Sequence, residues 1–340
     1  MKQLAVPAAL PALLDALARA LRPGGTSALD PSVSTTVWRQ ALAGPAADFL
    51  ARPGKQLRTS VVRAGWLLGG GAHGAMPQDL PLVIEILHAG SLIVDDVEDG
   101  STERRGAPAL HQVYGVPLAI NTGSWMYFWA LAELGALGLP PATELAALRC
   151  AISTLVECHQ GQALDLSTKI ADVAVDEAPA IVAATTRLKT GSLCRLAAEI
   201  GALAAGASPE RRAAIARFGE SMGIGLQMLD DLGSLTSLTR RAKGLEDLRE
   251  GRPTWPWAWL ATHRPFAWAR VSSMARALAR GAGDPDELID ELVGEVGAIG
   301  RTTIRSTLDE ALADLEHVVG KSPVTERIAA DLAEMEKSYG

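Results

Sequence analysis

The chain has few cysteines, no dense run of positive charge and no long apolar stretch. Its three cysteines, Cys150, Cys158 and Cys194, are too few and too scattered for a disulfide framework or a zinc site, so we expect buried thiols in a reducing compartment. The net charge is −7 and no Lys/Arg run is present, which argues against a nucleic-acid partner. No stretch approaches the ~20 uninterrupted apolar residues of a transmembrane helix.

Hydrophobic residues make up 48% of the 340 residues, which indicates a large buried core. Helical periodicity dominates, and the breaks between helical segments are short and carry Gly or Pro. We therefore predict an all-α fold with one domain over residues 1–340 and about three helices from Asp284 onward. The amino-terminal segment predicts an amphipathic helix that ends at Pro23-Gly24-Gly25 and lacks a cleavage site, so we expect a cytoplasmic protein.

Two aspartate-rich clusters carry most of the functional signal. The first is Asp95-Asp96-Val97-Glu98-Asp99 and the second is Asp230-Asp231-Leu232-Gly233-Ser234, and each ends a long apolar helical run. Asp95 and Asp99 are four residues apart and so share one helix face, where mutual repulsion favours a cation between them. Oxygen ligands with open positions suit Mg²⁺ shared with substrate phosphates. A buried helix that ends in carboxylates predicts a deep apolar cavity with a charged mouth, which suits a hydrocarbon carrying a diphosphate.

Several motifs, in order along the chain, resemble those of the trans-prenyl diphosphate synthases, also called polyprenyl synthetases. The resemblance covers roughly residues 40–340. The motifs are Pro53-Gly54-Lys55-Gln56-Leu57-Arg58, the run from His88 to Gly106, Gly161-Gln162-Ala163-Leu164-Asp165, Lys189-Thr190, Leu226-Gln227-Met228-Leu229-Asp230-Asp231, and Lys243 with Asp247 ahead of Gly251-Arg252-Pro253-Thr254.

The resemblance implies an isoprenoid-synthase-type helical bundle around a central cavity, a homodimer, and a reaction between an allylic prenyl diphosphate and isopentenyl diphosphate. It implies about three Mg²⁺ ions, with the metal-binding set Asp95, Asp96, Asp99, Asp230, Asp231 and Ser234. It implies that the allylic diphosphate contacts Arg104, Lys189 and Lys243, and that isopentenyl diphosphate contacts Lys55, Arg58, His88 and Arg105. By the same resemblance, Thr190 and Gln227 line the place where the carbocation forms.

The second cluster departs from the family pattern at Ser234, where the family has an aspartate. A hydroxyl brings no charge and is a weaker Mg²⁺ ligand than a carboxylate, so we expect weakened metal binding. The stretch from Asp230 to Ser234 also resembles the beginning of the metal motif of class I terpene cyclases, although the glutamate of that motif is replaced by Leu238. This leaves open a terpene synthase that ionises a prenyl diphosphate without isopentenyl diphosphate.

A block of aromatic residues is the second departure. Trp125-Met126-Tyr127-Phe128-Trp129 holds four of the chain's 8 Trp, 3 Tyr and 4 Phe residues. Trp125, Phe128 and Trp129 are predicted either to pack in the core or to line the cavity, where they limit product length or steady a cyclising cation. Gly90 and Ser91, by resemblance, also set product length, and because both are small they leave the cavity open at that level. The two indications conflict, so product length stays undecided.

Three functions are compatible with these features. The intact second-substrate set favours head-to-tail prenyl transfer, because a cyclase does not need that pocket. Ser234 and the aromatic block favour the terpene synthase alternative. A non-catalytic partner subunit of a heteromeric synthase is disfavoured, because such a subunit is expected to lose its acidic clusters and this chain keeps the first one whole.

Overall fold

The computed structural model describes residues 9–54, 57–237 and 240–339, and those residues are mainly helical. The all-α prediction is confirmed. The chain divides into two compact units, and each is described by itself. Unit 1 contains residues 1–152 and 197–208, and unit 2 contains residues 153–196 and 209–340. The single domain over residues 1–340 stays a prediction. Among the described helices, none combines the length and the apolar character needed to span a bilayer.

The elements follow one another with short connections. Up to residue 135 they are α1 (Ala9–Leu21), α2 (Thr35–Trp38), a π-helical segment (Arg39–Ala43), α3 (Gly44–Leu50), α4 (Leu57–Leu68), α5 (Leu80–Glu98), β1 (Glu103–Arg104), β2 (Ala107–Pro108), α6 (Leu110–Tyr114) and α7 (Val116–Gly135). Then come α8 (Pro141–Ser167), a 3₁₀ turn (Ile170–Asp172), α9 (Ala178–Thr186), a second π-helical segment (Arg187–Gly191), α10 (Ser192–Ala204), α11 (Pro209–Thr236), α12 (Arg241–Glu250), α13 (Trp255–His263), a 3₁₀ turn (Pro265–Ala267), α14 (Trp268–Ala279), α15 (Pro285–Val319) and α16 (Pro323–Tyr339).

The core of unit 1 is the packing of α5 against α7. The first eight residues of α5 are all buried, as expected for a helix that is apolar nearly all round. Gly90 of α5 meets Gly123 of α7, and a Cβ placed on Gly90 would lie 2.8 Å from the Gly123 carbonyl oxygen. This paired absence of side chains lets the two backbones approach closely. The predicted amino-terminal helix is also present, because α1 ends at Leu21 just before Pro23.

The core of unit 2 is the packing of α11 against α15, with α13 packed against both α9 and α15. Sixteen of the residues of α11 are buried, and they include Asp231 and Ser234. The prediction of about three helices from Asp284 onward is wrong, since only α15 and α16 follow in the described chain. One glycine within α15 serves packing, because a Cβ on Gly300 would lie 2.4 Å from the Trp259 ring.

Candidate active site

The first aspartate cluster occupies the last turn of α5. Asp96 is fully buried, and its Oδ1 accepts a 2.6 Å hydrogen bond from Arg104 Nε, whereas Asp95 and Asp99 are partly exposed. Burial raises the pKa of Asp96, and the Arg104 guanidinium opposes that rise. Arg104 Nη2 also lies 3.7 Å from Asp95 Oδ2. Successive helix residues point about 100° apart, so Asp96 faces the core when Asp95 faces outward, and metal binding by Asp96 stays a prediction.

A tight hairpin directs the two arginines that follow this cluster. The strands β1 and β2 pair Arg104 with Ala107, which leaves Arg105 and Gly106 as a two-residue turn with φ of 55° and 76°. Positive φ at both positions is the requirement of a type I′ turn and explains the glycine. The turn brings Arg104 to the aspartates, while the Arg105 guanidinium lies 5.5 Å from the centre of the Phe49 ring.

A buried arginine that the sequence analysis did not select holds this hairpin in place. Arg52 Nη1 donates to the carbonyl oxygens of Pro108 (2.8 Å) and Arg104 (3.3 Å), one on each strand. Its Nη2 donates to Asp48 Oδ1 at 3.0 Å, and the Tyr114 hydroxyl donates to Asp48 Oδ2 at 3.2 Å. The position of Arg52 just before the Pro53-Gly54 motif was the only sequence signal for it.

Three of the residues predicted to bind the second substrate form a cationic cluster in unit 1. Loss of hydration lowers the pKa of His88 well below its usual value, and the positive charges of the nearby Arg58, Arg105 and Arg104 lower it further. Arg58 Nε is buried and has no hydrogen-bond partner among the described residues. Such an arrangement suits an anion. Lys55, the fourth predicted member, lies outside the described residues.

A buried carboxylate organises the same cluster. Glu85 Oε1 accepts hydrogen bonds from the Thr59 backbone N–H (3.1 Å) and the Thr59 hydroxyl (2.9 Å) in the first turn of α4. Because the amides of a first helical turn have no partner within the helix, this contact fixes the end of α4 that carries Arg58. Sequence reasoning missed Glu85, although it lies one helical turn before His88.

The second aspartate cluster starts with a carboxylate that is paired with two cations. Asp230 Oδ2 accepts a 3.0 Å hydrogen bond from Lys243 Nζ, and Asp230 Oδ1 accepts one from Arg240. Burial alone would raise the pKa of Asp230, but Lys243 and Arg240 outweigh it and lower the pKa. Nearby on α12, burial raises the pKa of Asp247 to about 6. Arg240 was not predicted.

Asp231 and Ser234 do not present ligands to a metal. Asp231 is 6% exposed, and its two oxygens accept hydrogen bonds from Gln227 Nε2 (2.7 Å) and the Trp255 backbone N–H (2.9 Å). Burial raises the pKa of Asp231 to about 7. Ser234 is 3% exposed, and its hydroxyl donates to the Asp231 carbonyl oxygen at 2.8 Å. Both side chains face the interior of unit 2, and metal binding by these two residues stays a prediction.

Lys189 and Thr190 lie in the π-helical segment Arg187–Gly191, an irregularity that often marks functional positions. Lys189 Nζ donates to Asp165 Oδ2 at 2.7 Å, and the Thr190 hydroxyl donates to Gln227 Oε1 at 3.0 Å. A Cβ on Gly161 would lie 2.5 Å from the Lys189 backbone nitrogen, so the glycine permits close approach of α8 to this segment. Unit 2 thus brings Thr190 and Gln227 into contact beside Lys189, and the roles of the three residues stay a prediction.

Two small residues were predicted to line a cavity near the first cluster. Gly90 is buried against α7, where its missing Cβ would meet Gly123 and Met126. Gly90 permits a close helix crossing, and its predicted cavity-lining role stays a prediction. Ser91 is partly buried, and its hydroxyl donates to the His88 carbonyl oxygen at 2.9 Å. A cavity-lining role for Ser91 stays a prediction.

The aromatic block of α7 has two different faces. Trp125 and Trp129 stack with ring centres 5.1 Å apart, and their indole N–H groups donate to Ser27 Oγ and Glu133 Oε1. These contacts join the segment after α1 to α7, which is the packing alternative of the sequence analysis. Phe128 is 71% exposed, so the chain's own residues do not enclose it. The prediction that Phe128 lines a buried cavity is therefore not met within unit 1.

The chain belongs to the polyprenyl synthetase family. The model of that family matches residues 39–276, which contain the residues of both aspartate clusters. Geranylgeranyl pyrophosphate synthase 2 of Zymoseptoria tritici is 35% identical over 222 residues, which make up 64% of this chain and 63% of that protein. The chain thus spans less than two thirds of the length of this relative. The predicted family is confirmed.

Solved structures share the fold over nearly the whole chain. Heptaprenyl diphosphate synthase from Staphylococcus aureus has a TM-score of 0.77 at 18% identity and covers 96% of each chain. Geranylgeranyl pyrophosphate synthase from Corynebacterium glutamicum, in complex with isoprenyl diphosphate and magnesium, has a TM-score of 0.76 at 23% identity and covers 97% of each chain. At these identities the likeness shows the fold alone.

Proposed function

We propose that this chain is a prenyltransferase that joins an allylic prenyl diphosphate head-to-tail to isopentenyl diphosphate. Membership of the polyprenyl synthetase family supports this activity, as does the name of the Zymoseptoria relative. In the reaction the allylic C–O bond breaks, the new C–C bond forms at the resulting cation, and a proton leaves the product. The released diphosphate is the base that we expect to take that proton.

The observation that carries the proposal is the cationic cluster of Arg58, His88 and Arg105 in unit 1. Arg58 and Arg105 lie close enough to His88 to lower its pKa, and Arg58 has a buried N–H without a partner among the described residues. Such a cluster is costly to assemble unless an anion binds there. A prenyltransferase needs this second anion site for isopentenyl diphosphate, whereas a terpene synthase needs one diphosphate site only.

The residues that remain exposed in the two clusters fit a divalent metal shared with substrate. Asp95 and Asp99 in unit 1 would hold Mg²⁺. Asp230 in unit 2 would also hold Mg²⁺, in exchange for its contacts with Lys243 and Arg240. Asp96, Asp231 and Ser234 are buried in protein contacts. Within the described ranges, no group of three or more His, Cys, Asp or Glu residues is gathered as a complete cage. Diphosphate oxygens and water would supply the other ligands, and the metal would neutralise charge on the leaving diphosphate. Three ions remain part of the proposal.

Basic and polar residues of both units complete the proposed machinery. Arg104, Lys189 and Lys243, each of which is paired with a carboxylate here, would exchange those partners for the allylic diphosphate. Thr190 and Gln227 would face the cation. We propose a product of the geranylgeranyl class, because several curated relatives are named as synthases of that diphosphate.

The exposed apolar residues support the proposed homodimer. Val113, Val116, Ile120, Phe128 and Leu145 of unit 1 are all large, hydrophobic and at least 42% exposed. They belong to α6, α7 and α8, and exposed large apolar side chains are what a surface covered by another chain provides. Light scattering coupled to gel filtration should give twice the 35.6 kDa mass of one chain. A monomer at micromolar concentration would contradict this part of the proposal.

Product analysis tests the activity directly. Purified protein receives geranyl, farnesyl or geranylgeranyl diphosphate with Mg²⁺, each with and without isopentenyl diphosphate. A longer diphosphate that forms only with isopentenyl diphosphate supports the proposal and gives the chain length. A hydrocarbon or alcohol from one substrate alone supports the terpene synthase alternative, and the absence of any turnover contradicts both. The structure removes one support of that alternative, since Ser234 is buried against its own helix.

The second-substrate site has its own test. Arg58→Gln should raise the KM for isopentenyl diphosphate by about 10-fold or more, because a charge-assisted contact is lost, and should leave the allylic KM within about 2-fold. Exposed Arg217→Gln is the matched control. An equal rise of both KM values would contradict separate anion sites.

A further inference from the structure

A chain of hydrogen bonds connects the second aspartate cluster to Thr190. The Trp255 backbone N–H donates to Asp231 Oδ2 at 2.9 Å, Gln227 Nε2 donates to Asp231 Oδ1 at 2.7 Å, and the Thr190 hydroxyl donates to Gln227 Oε1 at 3.0 Å. All four groups belong to unit 2. The residues that form this chain of hydrogen bonds lie in the π-helical segment, in α11 and at the beginning of α13.

The direction of this chain follows from what each group can donate. The Trp255 backbone N–H can only donate, and the Gln227 NH₂ group lies 2.7 Å from the other carboxyl oxygen, so both oxygens of Asp231 face donors. The Gln227 amide must therefore turn its NH₂ group toward Asp231 and its oxygen toward Thr190. Amide orientation is settled by such networks rather than by atomic shape. The proton of the Thr190 hydroxyl is then committed to Gln227, and the oxygen presents lone pairs to its other neighbours.

We propose that Asp231 is a positioning residue that sets the direction of the Thr190–Gln227 hydrogen bond, so that Thr190 turns lone pairs toward the allylic cation. This inference rests on the proposed prenyltransferase function. When the allylic C–O bond breaks, positive charge develops on carbon, and an oxygen lone pair nearby lowers its energy. A hydroxyl proton aimed at the same carbon would raise it. No bond to Thr190 forms or breaks.

The burial of Asp231 supports a role beyond packing. Its hydrogen-bond partners, Gln227 and the Trp255 N–H, are both uncharged, although the side chain is only 6% exposed. Placing an ionisable carboxyl there costs free energy that an apolar residue would avoid. Thr190, on which Asp231 acts, lies in a closely packed segment. Because Gly161 has no Cβ, the Lys189 backbone packs closely against it, and this contact fixes the turn that carries Thr190.

Isosteric substitutions can reverse and then restore the direction. In Asp231→Asn the fixed Trp255 N–H should attract the new amide oxygen, so the NH₂ group faces Gln227. The Gln227 amide then turns over and donates to Thr190, whose proton points outward. We expect kcat to fall by about 30- to 100-fold, with both KM values within about 3-fold, because only the transition state loses an interaction.

The double variant Asp231→Asn with Gln227→Glu tests the mechanism most sharply. It keeps the total charge and shape. The carboxylate introduced by Gln227→Glu accepts from both the NH₂ group introduced by Asp231→Asn and the Thr190 hydroxyl, so the original direction at Thr190 returns. We expect kcat to recover by at least about 10-fold over the single variant, because the lost transition-state interaction is restored.

A second background checks that the effect passes through the hydroxyl. In a Thr190→Val background, Asp231→Asn should cost no further activity, since no hydroxyl remains to be turned. No recovery in the double variant, or additive losses with Thr190→Val, would overturn the proposal.

A measurement without turnover separates this inference from the proposed function. Neutron diffraction from deuterium-exchanged crystals of the unliganded protein locates the deuteron on Thr190 Oγ1. A deuteron directed at Gln227 Oε1 supports the inference, and one directed away overturns it. If the wild-type protein shows this geometry but makes no condensation product, the proposed function fails while the hydrogen-bond direction stands.

Discussion

The two aspartate pairs, Asp95–Asp96 in unit 1 and Asp230–Asp231 in unit 2, share a layout but differ in how the buried member is held. In each pair the first carboxylate is partly exposed and lies near a cation, and the second is buried. Asp96 is held by the charged guanidinium of Arg104, whereas Asp231 is held by uncharged donors. The first pair is therefore coupled to the hairpin that carries the arginines, and the second pair is coupled to the amide of Gln227.

The largest expected effect comes from the feature that the two pairs share, the partly exposed first carboxylate. Asp95→Asn and Asp230→Asn should each lower kcat by about 1000-fold or more, because each removes a negative charge from a proposed metal ligand. Steady-state assays with saturating substrates and Mg²⁺ measure this. Asp309→Asn, on an exposed face of α15, is the control and should stay within about 2-fold. If Asp230→Asn kept wild-type kcat, the second pair would have no catalytic part.

Glycine substitutions give the next largest difference between unit 1 and unit 2, because the added Cβ meets a flexible side chain in one unit and backbone in the other. In unit 2, Gly161→Ala places a Cβ 2.5 Å from the Lys189 backbone nitrogen, so the π-helical segment must shift and kcat should fall by about 100-fold. In unit 1, Gly54→Ala places a Cβ 3.2 Å from the flexible Arg105 guanidinium, so the loss should be within about 5-fold. Exposed Gly294→Ala meets nothing within 4 Å and controls for helix propensity. Equal losses at Gly161 and Gly54 would contradict the difference between rigid and flexible neighbours.

The sequence predicts the two aspartate clusters, but it does not predict which partners each carboxylate contacts. The i, i+4 spacing placed Asp95 and Asp99 on one face, and that pattern also implied that Asp96 points elsewhere, although the motif grouped all three. The packing of Gly90 against Gly123 could not be predicted, because the two residues are distant in sequence. The different destinations of Arg104 and Arg105 depend on a turn with positive φ, and the acceptance of the Trp255 N–H by Asp231 depends on tertiary packing. None of these contacts leaves a local pattern.

The different partners of the buried carboxylates predict unequal losses of stability. Asp96→Asn leaves the Arg104 guanidinium, 28% exposed, without its closest charge partner, and should lower the free energy of unfolding by about 2–3 kcal/mol. Asp231→Asn keeps one acceptor for uncharged donors and should cost about 1 kcal/mol. Urea unfolding followed by circular dichroism at pH 7.5 measures both. A larger loss for Asp231→Asn would reverse the comparison.

The smallest expected effect is the pH dependence of stability that His88 contributes within the cationic cluster. Asp231, in contrast, has uncharged hydrogen-bond partners. Desolvation and three arginines lower the pKa of His88 in the folded state, so between pH 6.5 and that lower pKa the unfolded chain binds more protons. Stability should therefore rise with pH up to about 6.5 and fall below it, by at most about 1.4 kcal/mol per pH unit. His88→Gln removes this dependence, so the difference in unfolding free energy between wild type and variant should narrow or change sign as the pH falls from 7.5 to 5. Urea titrations at several pH values, with exposed His73→Gln as the control, measure the slope. A difference that stays constant with pH would mean that His88 holds its proton equally well in both states, and the arginines would then not be acting on it.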